Sequence, residues 1–203
     1  MEVCSIILSA GKGSRMFSDI PKPLHLISGK TILERVIDAN KSANIKKCII
    51  VIPENCEAFK GICHDFETVV QKVPKGTGDA VKKASNLLKK FTGVILVCFG
   101  DTPFLTSETF KRVIKAFDNK TKLVITGFKK FEKNNYGKII FSNKNEPIEI
   151  IEQKDAEVRN IHSEFCNGGV MAIHSSIINQ LNKIKENLIS KEFYLTDLVK
   201  ILN

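Results

Sequence analysis

The chain has 203 residues, 43% of them hydrophobic, which is enough for a folded domain with its own core and too many for a disordered segment. No apolar run approaches the ~20 residues of a membrane-spanning helix. The start, Met1-Glu2-Val3, runs straight into a strand-like stretch without the basic segment and cleavage site of a secretory signal. A net charge of +9, from 31 Lys and Arg against 22 Asp and Glu, favours anionic partners. The lysines are scattered, Trp is absent and no nucleic-acid-binding motif appears, so small phosphate-rich substrates explain the charge as well as nucleic acid does.

Val3 to Ser9 is a continuous apolar run that leads into a glycine turn, the pattern of a strand buried on both faces. Thr31 to Ala43 is predicted to be a helix. Thr31 and Glu34 have capping-box spacing, and Leu33, Val36 and Ile37 form an apolar stripe. Cys48 to Ile52 is the next strand, closed by Pro53, and a short strand follows around Thr68 to Gln71. Gly78 to Phe91 reads as helix, Val94 to Cys98 as another buried strand, and Phe110, Val113, Ile114 and Phe117 as the stripe of a further helix. Cys4, Cys48 and Cys98 lie within these apolar runs, as free thiols do in a reducing compartment, and a cytoplasmic location is expected. Cys56, Cys63 and His64 lack the paired spacing of a zinc site.

Strand–helix alternation of this kind implies an α/β fold of Rossmann type, a mostly parallel sheet with helices on both faces. After residue 120 the strands come with fewer helices between them: Leu123 to Phe128, Gly137 to Phe141, Ile148 to Glu152 and Val170 to Ile173. These are expected to complete the sheet and to form a small covering lobe. No linker divides the chain, and residues 1–203 read as one domain.

Three segments carry chemistry. Ala10-Gly11-Lys12-Gly13-Ser14-Arg15-Met16 follows the first strand, where ligands of open α/β sheets bind. Gly11 and Gly13 allow a tight turn whose amides face phosphate, and Arg15 can grip phosphate oxygens. The same letters also suit a plain turn with a solvated Arg. They are not a dinucleotide fingerprint, because Met16 stands at the third glycine. Nor is Gly29-Lys30-Thr31 a Walker loop, because Leu24 stands at its first glycine. Pro21-Lys22-Pro23 stiffens the backbone around a lysine that offers a second phosphate cation, although such a tripeptide is often only a surface loop. Gly100-Asp101 ends a buried strand, where a carboxylate holds Mg²⁺ together with substrate phosphates or, alternatively, caps a turn.

These segments, in this order, resemble the N-terminal domain of the bacterial bifunctional N-acetylglucosamine-1-phosphate uridylyltransferases. Gln71 with Gly76-Thr77-Gly78 is similar to that family's uracil-reading segment. Tyr136-Gly137, Ile151-Glu152-Gln153-Lys154-Asp155-Ala156, Asn167-Gly168-Gly169 and Glu192-Phe193-Tyr194-Leu195-Thr196-Asp197 match its later motifs. The resemblance runs from Val3 to the end of the chain. It implies transfer of a uridylyl group from UTP to N-acetylglucosamine 1-phosphate, within the supply of UDP-N-acetylglucosamine for the cell wall. Ala10, Gly11, Gln71, Gly76 and Thr77 would hold uracil and ribose, with Gly13 in the phosphate loop. Arg15 and Lys22 would bind the triphosphate and serve as catalytic cations. Asp101 would be a ligand of the Mg²⁺ cofactor, and Gly137, Glu152, Asn167, Tyr194 and Thr196 would shape the sugar pocket. His25, His64, His162 and His174 receive no catalytic role.

The sequence departs from the family at Phe99, where Tyr is common, at Pro74, and at Gly168, where Thr is usual. The family also uses an Asn metal ligand beyond its Thr-Asp motif, and it carries a β-helical acetyltransferase half. Neither falls within residues 1–203, so the expectation is an incomplete metal site. Two rival readings follow: a related nucleotidyltransferase with another base or acceptor, and a catalytically impaired nucleotide-binding or regulatory module. The family features leave homo-oligomerisation open.

Overall fold

The computed structural model describes residues 1–11, 13, 16–54, 57–132 and 134–203. Its first half contains β1 (Val3–Leu8), the two-residue strands β2 (Leu26–Ile27) and β3 (Lys30–Thr31), α1 (Ile32–Ser42), β4 (Lys47–Pro53), α2 (Glu57–Cys63), β5 (Glu67–Gln71), α3 (Thr77–Ser85) and β6 (Val94–Phe99). The second half contains α4 (Ser107–Lys115), β7 (Leu123–Lys129), β8 (Lys138–Phe141), β9 (Pro147–Ile151), α5 (Gln153–Val158), β10 (Phe165–His174) and α6 (Asp197–Leu202).

The main sheet runs β5-β4-β1-β6-β10-β8-β9, with β7 also paired to β10. The four strands β5, β4, β1 and β6 are parallel, and β10 joins β6 antiparallel. β10 is where the sheet forks. Its residues 171–173 pair with both β6 and β7, and Cys166, nearer its start, pairs with β8. A register shift between Asn167 and Met171 makes that fork possible.

Both faces of the parallel half are covered, as the unbroken apolar runs require. Cys4, Ile6 and Leu8 of β1 pack on one face with Ala80, Val81 and Ala84 of α3 and Leu198 of α6. Ile7, between them, packs on the other face with Leu33 and Val36 of α1 and Phe110 of α4. The same alternation recurs in β4, where Ile49 and Val51 face the first layer and Ile50 the second. Ser5 is a polar exception at the centre of β1, and its hydroxyl donates to Asn40 Oδ1 of α1 at 3.0 Å.

The capping box at α1 is present. Glu34 N–H donates to Thr31 Oγ1 at 3.1 Å, and Thr31 N–H donates to Glu34 Oε2 at 2.7 Å. The helix expected over Gly78 to Phe91 stops at Ser85 and tightens into a 3-10 turn at Asn86–Leu88. The strand expected over Val170 to Ile173 begins earlier, at Phe165, because Asn167, Gly168 and Gly169 form a bulge within the strand and do not end it. None of the helices among the described residues is long and apolar enough to cross a membrane.

Candidate functional site

The carboxyl ends of β1, β5 and β6 open into a cavity of about 490 Å³ lined by Ala10, Gly11, Gly13, Lys22, Gln71, Gly76, Thr77 and Asp101. Every nucleotide-binding residue expected from the sequence therefore lies on one wall or another of this space, together with Lys22 and Asp101. Arg15, with Lys12 and Ser14 of the same loop, lies outside the described residues, as does Cys56.

Lys22 sits in a single 3-10 turn, Lys22–Leu24, that Pro21 and Pro23 set up and that Leu24 N–H closes onto Pro21 O at 2.8 Å. The turn aims the Lys22 ammonium at Asp101, whose Oδ2 it reaches at 2.8 Å. Gly13, at φ +58°, lies against the Lys22 side chain, and a Cβ there would stand 3.0 Å from Lys22 Cβ. Asp101 offers a hard carboxylate oxygen, and no group of three or more His, Cys, Asp or Glu gathers into a metal-holding cluster among the described residues. A lone carboxylate of this kind suits Mg²⁺, which keeps waters and takes further oxygens from phosphates.

Gln71 is 4% exposed, so its amide needs partners. Nε2 donates to Asp79 Oδ2 at 2.7 Å and to Gly76 O at 3.2 Å. Both partners are acceptors, which fixes the amide's orientation and leaves Oε1 as the end available to a ligand. Asp79 was not marked by the sequence. Its role depends on the first turn of α3 folding back over β5, and no local motif announces that.

Gly76 is also held by more than its neighbours. Its φ is +98°, and a Cβ would stand 2.5 Å from Phe193 O. The strap carrying Phe193 is tied to this loop on both sides: Phe193 N–H donates to Lys75 O and Gly78 N–H to Phe193 O, each at 2.8 Å. Thr77 Oγ1 accepts from Leu195 N–H at 2.9 Å. The glycine pair thus fits the loop to the strap as well as leaving room for a ligand.

A second cavity of about 410 Å³ adjoins the first and shares Leu8, Thr77, Phe99 and Glu192 with it. Gly137, Glu152, Asn167, Tyr194 and Thr196, the expected sugar-pocket residues, all line it. Thr196 Oγ1 donates to Glu152 Oε1 at 2.8 Å. Burial pushes the Glu152 carboxyl above its ordinary range against that hydrogen bond, and Asp197, Asp155 and Glu192 add to the rise. Asn167 Oδ1 accepts from Gly169 N–H at 3.1 Å, which steadies the β10 bulge. Gly169, at φ +80°, lies on the Phe99 ring, where a Cβ would come within 3.2 Å.

Residues 5–183 match the MobA-like NTP transferase domain. The chain belongs to that family. It is 36% identical over 207 residues to the bifunctional protein GlmU of Ruegeria sp. (strain TM1040), covering 99% of this chain and 45% of that protein. It is 38% identical over 210 residues to the bifunctional protein GlmU of Buchnera aphidicola subsp. Schizaphis graminum, covering 100% of this chain and 44% of that protein. The chain therefore spans a little under half the length of these relatives. A crystal structure of UDP-glucose pyrophosphorylase complexed with UDP-glucose superposes with a TM-score of 0.79 at 18% identity, over 100% of this chain and 87% of the other. HddC from Yersinia pseudotuberculosis superposes at 0.69 and 19%, over 97% and 84%. At those identities the two structures speak to the fold alone.

In this NTP transferase domain Gly11, Gly13 and the Pro-Lys-Pro turn lie close together in sequence, and at one sheet edge they meet the strand-end Asp101, which is 79 positions beyond Lys22. In the sequence Glu192 is only one letter of the Glu-Phe-Tyr-Leu-Thr-Asp segment. Its position at the boundary of both cavities emerges from the strap's path and from nothing local.

Proposed function

We propose that the chain transfers the uridylyl group of UTP to N-acetylglucosamine 1-phosphate and releases pyrophosphate. The observation that carries this reading is the double chamber. One compartment holds an oriented amide, a cation and a carboxylate, and the compartment beside it holds groups suited to sugar hydroxyls. The similarity to proteins named GlmU and the fold shared with a UDP-glucose pyrophosphorylase support the same direction.

In this scheme Gln71 Oε1 accepts from the N3–H of uracil. Cytosine has an acceptor at that position, so the fixed amide would meet it acceptor to acceptor. Lys22 moves from Asp101 onto phosphate oxygens as the triphosphate enters, and Arg15 is assigned the same task from the sequence. An oxygen of the acceptor's phosphate attacks the α-phosphorus of UTP. The bond from that phosphorus to the bridging oxygen breaks, and pyrophosphate departs with the electron pair. The second ionisation of a phosphate monoester lies near ~6, so the attacking oxygen needs no strong base. Lys22 and the loop amides therefore act by positioning and by neutralising charge, and Asp101 by holding a cation in place. Mg²⁺, held by Asp101 together with phosphate oxygens, would supply further charge neutralisation at the triphosphate. Glu152, Asn167, Tyr194 and Thr196 receive the sugar.

The test is product identity across a panel of sugar 1-phosphates and nucleoside triphosphates, read by mass. UDP-N-acetylglucosamine as the main product is the expected result. A main product with another base or another sugar overturns the assignment.

A further inference from the structure

Glu192 is the one charged side chain on the boundary that the two cavities share. Its backbone is held from several sides. Its carbonyl accepts from Asn187 N–H at 2.9 Å, its own N–H donates to Ser190 Oγ at 3.3 Å, and the next residue is bound to Lys75 and Gly78. Its Cβ lies 3.0 Å from where a Gly76 Cβ would stand, beside the loop that closes over Gln71. Among the described residues the carboxylate itself takes part in no ion pair and no hydrogen bond. A half-buried carboxylate on a firmly held backbone, with open acceptor sites, is matched by a ligand that brings hydroxyl donors.

Resting on the proposed transfer reaction, we infer that Glu192 is a specificity-determining residue that reads a hydroxyl group of the bound sugar nucleotide from the boundary between the two chambers. The hydroxyl belongs to the ribose if the carboxylate turns to the Gly76 side, and to the acceptor's ring if it turns to the Glu152 side. The chemistry is the same in both cases, a charged acceptor receiving an O–H. A second consequence concerns charge. Glu152 and Glu192 together line the sugar chamber, so the chamber favours uncharged polyols over acceptors that carry a carboxylate.

The experiment is calorimetric titration of the wild type, Glu192→Ala and Glu192→Gln with four kinds of ligand: UDP-N-acetylglucosamine, its 2′-deoxyribose analogue, its 3′-deoxyribose analogue, and analogues lacking one hydroxyl of the sugar ring. Melting temperatures confirm that both variants fold. In the wild type, losing the hydroxyl that Glu192 reads should weaken binding by roughly 10- to 100-fold, the scale of one hydrogen bond to a charged acceptor. In Glu192→Ala that difference should collapse, because the partner is already gone, and in Glu192→Gln it should shrink only in part. Collapse in a ribose analogue assigns the ribose, and collapse in a ring analogue assigns the acceptor. Penalties that stay the same in wild type and Glu192→Ala for every analogue overturn the inference while leaving the reaction intact. A wild type that does not bind the parent sugar nucleotide overturns the reaction, and this inference with it.

Discussion

Lys22 and Asp101 neutralise each other in the structure at 2.8 Å, with side chains 38% and 33% exposed. A pair that open to water contributes about 0–1 kcal/mol, so it is readily separated by an incoming triphosphate. It also competes with a divalent cation for the same carboxylate. Lys22→Met should therefore bind Mn²⁺ more tightly than the wild type when no nucleotide is present, while its KM for UTP rises. Equal Mn²⁺ affinities in a direct titration would show that the pairing does not guard Asp101. Gln71 invites a second residue-scale test through a group that does not line the first cavity. Asp79 fixes the amide's direction, so Asp79→Ala should lower the preference for UTP over CTP about tenfold or more, as Gln71→Ala should. Unchanged ratios of kcat/KM in Asp79→Ala would leave Gln71 oriented by other means. Glu152 has its folded-state pKa raised above the ordinary 4.5 by burial. Its contribution to stability is then fully present below the ordinary value and is lost as pH rises through the raised one. Glu152→Gln should exceed the wild type in stability by a margin that grows as pH rises above the ordinary 4.5, at the cost of a higher KM for the sugar phosphate. Denaturation midpoints across that rise decide it, and a constant margin would contradict the raised pKa.

At the scale of elements, the parts that the sequence made legible are those whose signal is local. β1, β4 and β6 are apolar on both faces and could be read as buried strands, and Thr31 with Glu34 announced α1 through its capping box. α2 gave no such signal, because only Phe59 and Cys63 of its seven residues are buried. The early half of β10 was hidden by Asn167-Gly168-Gly169, which reads as a turn until the sheet's fork gives it a reason to bulge. The site divides in the same way. The motif residues that line the two cavities carry local letters, whereas the positions of Asp79 and Glu192 depend on packing between distant segments, as the contact of Thr77 and Leu195 does across 118 positions. The strap at residues 192–195 is the element whose disturbance should be most telling. Gly76→Ala places a Cβ 2.5 Å from Phe193 O at a φ that disfavours side chains. It should cost roughly 1–3 kcal/mol and reduce turnover by shifting the strap. Thr31→Ala should cost about 1 kcal/mol and leave turnover unchanged. The two variants compared by melting and by rate separate a strap that organises the site from one that merely stabilises the fold, and a Gly76→Ala enzyme of normal rate would point to the latter.

At the scale of the whole molecule, the parallel half-sheet lines the first cavity and the forked antiparallel half lines the second, so under the proposed reaction the two substrates would meet where β6 and β10 adjoin. The positive charge of the chain, +9, suits two phosphate-bearing substrates that must approach each other. Pyrophosphate release by the purified chain given UTP, N-acetylglucosamine 1-phosphate and Mg²⁺ tests uridylyl transfer most directly. Release that needs both substrates and falls about 100-fold or more in Asp101→Asn is the predicted result. Absence of release, release from UTP without the sugar phosphate, or equal release with GTP would contradict it.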